Sequence, residues 1–164
     1  MRILLTALAV LVAAGHAAAG DQLAPLGRFV GEWEVDGQWS DGTPLHARGV
    51  YAWGLGKKIL TAKTFVQNGG KEYQRYEAVM AWHPEKKGLF QISFAYDGSL
   101  TEVLMEPKGK DTLHIGWTPF AAGKPAKVRQ VIRFLDNDHF RWTVSLREGE
   151  SWKQLIDATW KRKK

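Results

Sequence analysis

The chain has 164 residues, of which 45% are hydrophobic and 24% are charged, and it contains no cysteine. This length and composition suit one domain with a full hydrophobic core, and the lack of cysteine excludes disulfides, thiol nucleophiles and cysteine-ligated metals. Part of the formal net charge of +6 comes from the basic run at residues 161–164, which we interpret as a solvated tail because no aromatic residues alternate with it as they would in a nucleic-acid site.

Residues 1–19 have the pattern of a secretory signal peptide. Arg2 supplies a positive charge, residues 3–14 are apolar, and Ala17, Ala18 and Ala19 form a small-residue cleavage site. The apolar run is shorter than the roughly twenty residues that span a bilayer, which disfavours a membrane anchor. We therefore expect cleavage near Ala19 and a periplasmic or secreted mature protein, residues 20–164, that forms a single domain.

A short helix is predicted over residues 21–29, and no later segment has helical periodicity. The next segment, residues 31–39, alternates strictly: Trp33, Val35 and Trp39 share one face, while acidic and amide side chains share the other. The rest of the chain repeats this theme, with turns rich in Gly, Pro, Asn and Asp between the alternating segments. The predicted strands cover residues 31–39, 45–55, 59–66, 71–83, 89–96, 100–106, 112–117, 128–135, 139–146 and 152–160.

Ten consecutive strands with short connections predict an antiparallel meander. Closure of such a sheet buries its apolar face and removes its edges. We therefore predict an all-β fold, an antiparallel up-and-down barrel of about ten strands with one short N-terminal helix. The interior of a barrel of about eight strands is just filled by side chains or just holds one small ligand. Ten strands leave room for a pocket unless the eight tryptophans, seven phenylalanines and four tyrosines fill it.

Several short motifs resemble those of known barrel proteins. The segment FVGEW at residues 29–33, after the short helix, resembles the Gly-x-Trp opening of lipocalin-like, calycin-type barrels. The motifs GVY at 49–51, GLG at 54–56, YEA at 76–78 and GLF at 88–90 are similar to those of exported bacterial proteins of the domain of unknown function 1579. The similarity covers residues 23–160. It implies a barrel with an internal pocket for a small apolar molecule, and it implies no particular activity.

The chain departs from two groups of calycin relatives. Relatives that bind haem use a histidine near the end of the barrel, whereas the last histidine here is His139 and the final predicted strand has none. Relatives that bind fatty acids hold a carboxylate with inward Arg and Tyr side chains. Here Arg129, Arg133 and Arg141 alternate onto the face opposite the aromatic residues. We therefore predict no cofactor and no internal arginine clamp.

The chain offers little material for metal or catalytic chemistry. No two of the dispersed histidines have the i, i+2 or i, i+4 spacing of paired ligands; they include His46, His83, His114 and His139. There is no Gly-x-Ser-x-Gly motif. We assign no metal ligands and no catalytic residues, and we expect no enzymatic activity.

Glu102 is the acid that an enzyme in this barrel would use. It shares a face with Glu106, Leu100 and Leu104, so an inward apolar face would carry it into the interior. The alternative is a bulge that shifts the phase of the strand and leaves both acids in solvent.

The predicted inner face is mostly aromatic and carries two isolated amides, Gln130 and Gln154. An apolar lining with a few polar groups is typical of small-molecule sites, and an amide can orient a ligand carbonyl or hydroxyl. The alternative is that both amides bond to indole N–H or tyrosine hydroxyl groups within a filled core. Trp33 is expected to close one end of the barrel near the helix, and Trp152 falls on the same predicted face. The candidate ligand-binding residues are Trp33, Tyr51, Trp53, Tyr76, Trp82, Phe94, Gln130, Trp142 and Gln154.

The sequence therefore predicts an exported binding protein that holds a small apolar or amphipathic molecule inside a β-barrel. No nucleic-acid partner and no membrane span are predicted, and no oligomeric state is indicated. One alternative is a filled barrel whose outer face or loop at residues 119–125 binds an envelope partner. The other is a small-molecule enzyme that uses Glu102.

Overall fold

The computed structural model describes residues 22–118, 120–121 and 124–164. The predicted signal peptide at residues 1–19 lies outside the described residues, as do Pro119, Ala122 and Gly123 of the predicted loop. Among the described residues, no helix has the length and apolar character needed to cross a bilayer.

A 3-10 helix spanning Ala24–Phe29 precedes twelve strands. They are β1 (Gly31–Gln38), β2 (Pro44–Gly54), β3 (Ile59–Asn68), β4 (Lys71–His83), β5 (Gly88–Ala95), β6 (Leu100–Lys108), β7 (Thr112–Trp117), β8 (Phe120–Ala121), β9 (Lys124–Pro125), β10 (Val128–Phe134), β11 (His139–Glu148) and β12 (Ser151–Arg162).

Ten of these strands form a closed antiparallel barrel, in the order β1-β12-β11-β10-β7-β6-β5-β4-β3-β2. The strands follow chain order around the barrel, and β8 and β9 form a small separate hairpin within the predicted loop. The predicted ten-stranded barrel with a short N-terminal helix is confirmed. The helix is a 3-10 helix that begins later than predicted, at Ala24, with a proline in its first turn.

The helix closes one end of the barrel. Its residues Leu26 and Phe29 are buried, and the ring of Phe29 lies 5.3 Å from that of Tyr51 and 4.8 Å from that of Phe134, centroid to centroid. Trp33 is fully buried beside the helix, and its Nε1 donates a hydrogen bond to the carbonyl oxygen of Phe29 at 2.6 Å. The prediction that Trp33 closes one end of the barrel near the helix is confirmed.

The faces of β5 are the reverse of those predicted. Leu89 is buried and pairs with Trp82, so Gln91 and Ser93, at the same phase, point into the barrel. Phe94 is 47% exposed on the outer face. Its predicted place on the inner face is wrong, because alternation separates the two faces of a strand without saying which one is buried.

The same reversal applies to β6. Val103 and Met105 are buried, whereas Leu100 and Leu104 are exposed on the outer face together with Glu102. The ladders from β6 to β5 and β7 show no register shift, so a bulge is not the reason. The enzyme alternative needed Glu102 inside the barrel, and the outward apolar face of β6 places it in solvent instead.

Two register shifts do occur elsewhere, in β3–β4 after Thr64 and in β11–β12 after Val144. In β12, Ile156 pairs with inward Val144, whereas Gln154 pairs with Ser145 and Trp152 pairs with Arg147. An irregularity of this kind changes the phase of a strand. The predicted inward positions of Trp152 and Gln154 are therefore wrong.

Candidate functional site

Four of the predicted site residues lie together at the closed end of the barrel. Trp33 is buried, and Tyr51, Trp53 and Trp82 are half-buried against the core. A Cβ atom placed on Gly27 of the helix would lie 3.7 Å from the Trp53 ring, so the helix backbone rests on this indole. These side chains form the base of the barrel, and the helix covers them.

Burial of Tyr51 at this base affects its acidity. Transfer of a phenolate from water into an apolar environment is unfavourable. Desolvation therefore raises the pKa of Tyr51 to about 12. The phenol is thus neutral across the physiological pH range, and it is a hydrogen-bonding group rather than a base.

Three further predicted residues point into the other half of the barrel, which we call the open half. Gln130 pairs with Ile115 and Val144 in the middle of β10 and is half-buried. Trp142 is half-buried, and its ring centroid lies 6.0 Å from that of Trp39. Tyr76 shares the inward phase of Ala78 and Met80 and is 43% exposed, at the rim.

The remaining predicted residues do not join this lining. Phe94 and Trp152 lie on the outer face of the sheet. The guanidinium groups of Arg129 and Arg147 lie 4.4 Å and 5.5 Å from the centroid of the Trp152 ring. Gln154 is exposed. The outward positions expected for Arg129, Arg133 and Arg141 agree with the observed strand phases, since Gln130, Ile132 and Trp142 point inward.

Sequence reasoning missed a set of polar side chains that line the open half. Ser93 pairs directly with Thr101, and both lie at the inward phase of their strands. The signal that could have found them is the β4–β5 hairpin, whose register places Leu89 opposite the inward Trp82. The missed inward polar residues are Thr64, Gln91, Ser93 and Thr101, and all are half-buried.

Most of these inward polar side chains have no hydrogen-bond partner within the described part of the protein. The side chains of Gln91, Ser93, Thr101 and Gln130 make no hydrogen bond to any other described residue. In the described part of the chain, every buried side-chain N or O atom has a hydrogen-bond partner. The unpaired N and O atoms of these four side chains are therefore not fully buried. The filled-core alternative, in which Gln130 bonds to an indole or tyrosine group, is therefore not what the structure shows. Solvent reaches these groups inside the barrel.

The charged side chains Arg48 and Arg141, which form ion pairs with carboxylates, lie outside this lining. Arg48 contacts Glu32 and Glu72, and Arg141 forms a two-point contact with Asp157. The Arg141 guanidinium holds the pKa of Asp157 below its usual range. Within the described ranges, no three His, Asp or Glu side chains group as ligands for one metal ion. The inward polar side chains Gln91, Ser93, Thr101 and Gln130 are thus all uncharged.

No protein-family model matches the sequence, and no curated protein matches it. Solved structures with a similar fold do exist. The crystal structure of Rv2717c from M. tuberculosis gives a TM-score of 0.55 at 14% identity, over 87% of this chain and 98% of that one. The S-type phycobiliprotein lyase CPES from Guillardia theta gives a TM-score of 0.50 at 12% identity, over 84% of this chain and 89% of that one. At these identities the likeness shows the fold alone, so the chain is similar in fold to these barrel proteins.

Proposed function

We propose that this protein binds a small apolar or amphipathic molecule in the open half of its barrel. One observation carries the proposal: inward polar side chains in the middle of the strands, among them Gln91 and Gln130, are partly accessible to solvent and have no partner among the described residues. A filled barrel would have enclosed these groups or paired them, because an unpaired buried amide is costly.

The lining suits a ligand with both apolar and polar parts. Buried Val103 and Val128, with half-buried Trp142, provide apolar walls, and burial against them contributes about 25 cal/mol for each Å² of apolar surface removed from water. The amides of Gln91 and Gln130 each offer donors and an acceptor, which would orient a carbonyl or hydroxyl of the ligand. The closed end, with Trp33 and the helix, would form the base beneath the ligand.

Export is part of the same proposal. The pattern at residues 1–19 supports cleavage near Ala19 and a periplasmic or secreted site of action. The motif resemblance to exported proteins of the domain of unknown function 1579 supports it as well. Sequencing of the N-terminus of the protein isolated from the cells that make it would test this, since an intact Met1 would contradict cleavage.

The binding proposal is tested by filling the interior. We would compare native mass spectra of protein from its own cells with spectra after denaturation, for the wild type, Ser93→Trp and Ile92→Trp. Ser93 points inward and its neighbour Ile92 points outward, so the two variants add the same side chain to opposite faces. We expect a bound mass in the wild type and in Ile92→Trp, and its loss in Ser93→Trp. A wild-type protein without a bound mass, or a mass retained by Ser93→Trp, would contradict the proposal.

The outer face of β5 and β6 favours a second candidate function, contact with another protein. Phe94, Leu100 and Leu104 are between 38% and 53% exposed there, and Phe94 pairs directly with Leu100. Exposed apolar groups that adjoin one another mark interaction surfaces. A specific protein complex that is lost in Leu100→Ser and retained in Ser93→Trp would favour this function over ligand binding.

A further inference from the structure

The barrel wall separates between β6 and β7 on the side of the open half. The ladder between them runs only from Lys108↔Thr112 to Met105↔Ile115. Beyond Met105, β6 is paired with β5 alone, while Gly116 and Trp117 are paired with β10 alone. Within the described residues, the facing edges of β6 and β7 therefore carry backbone N–H and C=O groups without a partner strand.

A groove with a volume of about 430 Å³ lies along this separation. Its walls include Leu104 of β6, Trp117 of β7 and Trp152 of β12. Gly116 lies between them at the outward phase, and a Cβ atom there would have the Val128 carbonyl oxygen as its nearest neighbour, at 3.8 Å. The missing side chain of Gly116 therefore leaves space in the groove that a larger residue would fill.

One wall of the groove is basic and aromatic. Lys127 and Arg129 line it, and the Arg129 guanidinium stacks on the Trp152 ring at 4.4 Å. Neither basic group has a carboxylate within ion-pair distance among the described residues, whereas the one acid of the groove, Glu106, contacts Lys108 at 3.0 Å. The stacked ring holds the guanidinium in place and leaves its N–H edge available to donate hydrogen bonds to an anion.

We propose that this groove is a second binding site, for an amphipathic organic anion with a flat apolar body. The acid group pairs with Arg129 and Lys127, since a guanidinium matches a planar or tetrahedral oxyanion with two hydrogen bonds. The apolar body lies against Leu104 and Trp152 over Gly116. A volume of about 430 Å³ falls within the range of small-ligand sites. Arg129 and Gly116 are at the outward phase of their strands, whereas Ile115, Trp117 and Val128, at the inward phase, complete the lining.

The test uses two fluorescent probes of similar shape, anionic anilinonaphthalene sulfonate and neutral N-phenylnaphthylamine. Titrations would compare the wild type with Arg129→Gln, which removes the charge, and with Gly116→Val, which fills the groove. Arg133→Gln is the matched control, because Arg133 lies on the same strand and the same outer face but away from the groove. The interior-filled Ser93→Trp protein separates groove binding from binding inside the barrel.

We expect the dissociation constant of the sulfonate to rise about tenfold in Arg129→Gln, as for the loss of one charge-assisted contact, and to change less than about twofold in Arg133→Gln. Gly116→Val should weaken sulfonate binding to a similar extent, and Ser93→Trp should leave sulfonate binding unchanged. The affinity for the neutral probe should be the same in Arg129→Gln as in the wild type. Equal losses in Arg129→Gln and Arg133→Gln, binding abolished by Ser93→Trp, or no saturable sulfonate binding would each overturn the proposal. If the proposal of a ligand inside the barrel were wrong, only the native mass spectra would show it. The sulfonate titrations would be unaffected.

Discussion

The guanidinium of Arg162 lies over the indole of Trp33, with its carbon atom 4.2 Å from the ring centroid. The same group donates hydrogen bonds to the carbonyl oxygens of Val30, at 2.5 Å, and Arg28, at 2.9 Å. These carbonyls belong to the end of the helix and the residue that follows it, where no strand ladder of the described residues donates to them. One side chain of the last strand thus holds both the helix and the first strand. The interpretation of residues 161–164 as a solvated tail is therefore wrong for Arg162, which ends β12 and is half-buried.

Arg162→Ala is therefore expected to lower the free energy of unfolding by about 3 kcal/mol, because it removes the cation–π contact and several charge-assisted hydrogen bonds. Urea unfolding followed by tryptophan fluorescence measures this change. Lys161→Ala is the control, since Lys161 is exposed and its removal should cost less than about 0.5 kcal/mol. Similar losses in the two variants would show that Arg162 does not hold the closed end.

The reversed faces of β5 lead to a second prediction. Leu89 is 2% exposed and points inward, so Leu89→Ala should lower the free energy of unfolding by about 2–5 kcal/mol through lost burial and a cavity. Phe94 is 47% exposed, so Phe94→Ala should cost less than about 1 kcal/mol although it removes more atoms. Denaturant titration of both variants decides the matter. A larger loss in Phe94→Ala would place the aromatic face of β5 inside.

Because the pKa of Tyr51 is raised, we expect the folded protein to lose stability at high pH. Its pKa is raised to about 12 in the folded protein, and an unfolded tyrosine ionises near pH 10. Because the unfolded state loses this proton first, the stabilisation is complete below about pH 10 and decreases as the pH rises toward 12. The shift corresponds to at most about 2–3 kcal/mol, and the partial solvent contact of the side chain reduces it.

The comparison of wild type with Tyr51→Phe isolates this effect, since lysines and the other tyrosines titrate in both proteins. The difference in unfolding free energy, measured in urea between about pH 9 and pH 12, should move in favour of Tyr51→Phe as the pH rises. An absorbance titration of the phenolate should also lose its most alkaline component in the variant. A pH-independent difference would mean that Tyr51 is not desolvated.

Alternation and turn residues were sufficient to predict the ten barrel strands and their closure. They placed Trp33, Tyr51 and Gln130 inside, because the charged side chains of those strands lie on the opposite faces. They failed for β5, where the outer face is also apolar and the inward residues Gln91 and Ser93 are polar. A period of two gives two faces, and the choice between them depends on the register with the neighbouring strands.

The misplaced residues of β12 have a different cause. The register shift after Val144 moves Trp152 to the outside, where Arg129 stacks on it. No residue in this part of the sequence marks the irregularity, since Ser145, Gln154 and Leu155 all suit a regular strand. The groove beside Gly116 was not predictable either, because it results from a ladder that ends early rather than from any pattern within one strand.

The closure of the barrel between β1 and β12 also bears on how the chain folds. The Nζ atom of Lys163 reaches a carboxylate oxygen of Glu32 at 3.0 Å across 131 positions of sequence, and the backbone N–H of Lys163 donates to the carbonyl oxygen of Glu32 at 2.8 Å. Contacts of such long sequence separation form slowly, because a large loop must close before they contribute. A nascent chain that lacks β12 keeps two open sheet edges and an exposed interior. The barrel can therefore close only after β12 has been synthesised, and until then the apolar side chains of the interior stay exposed.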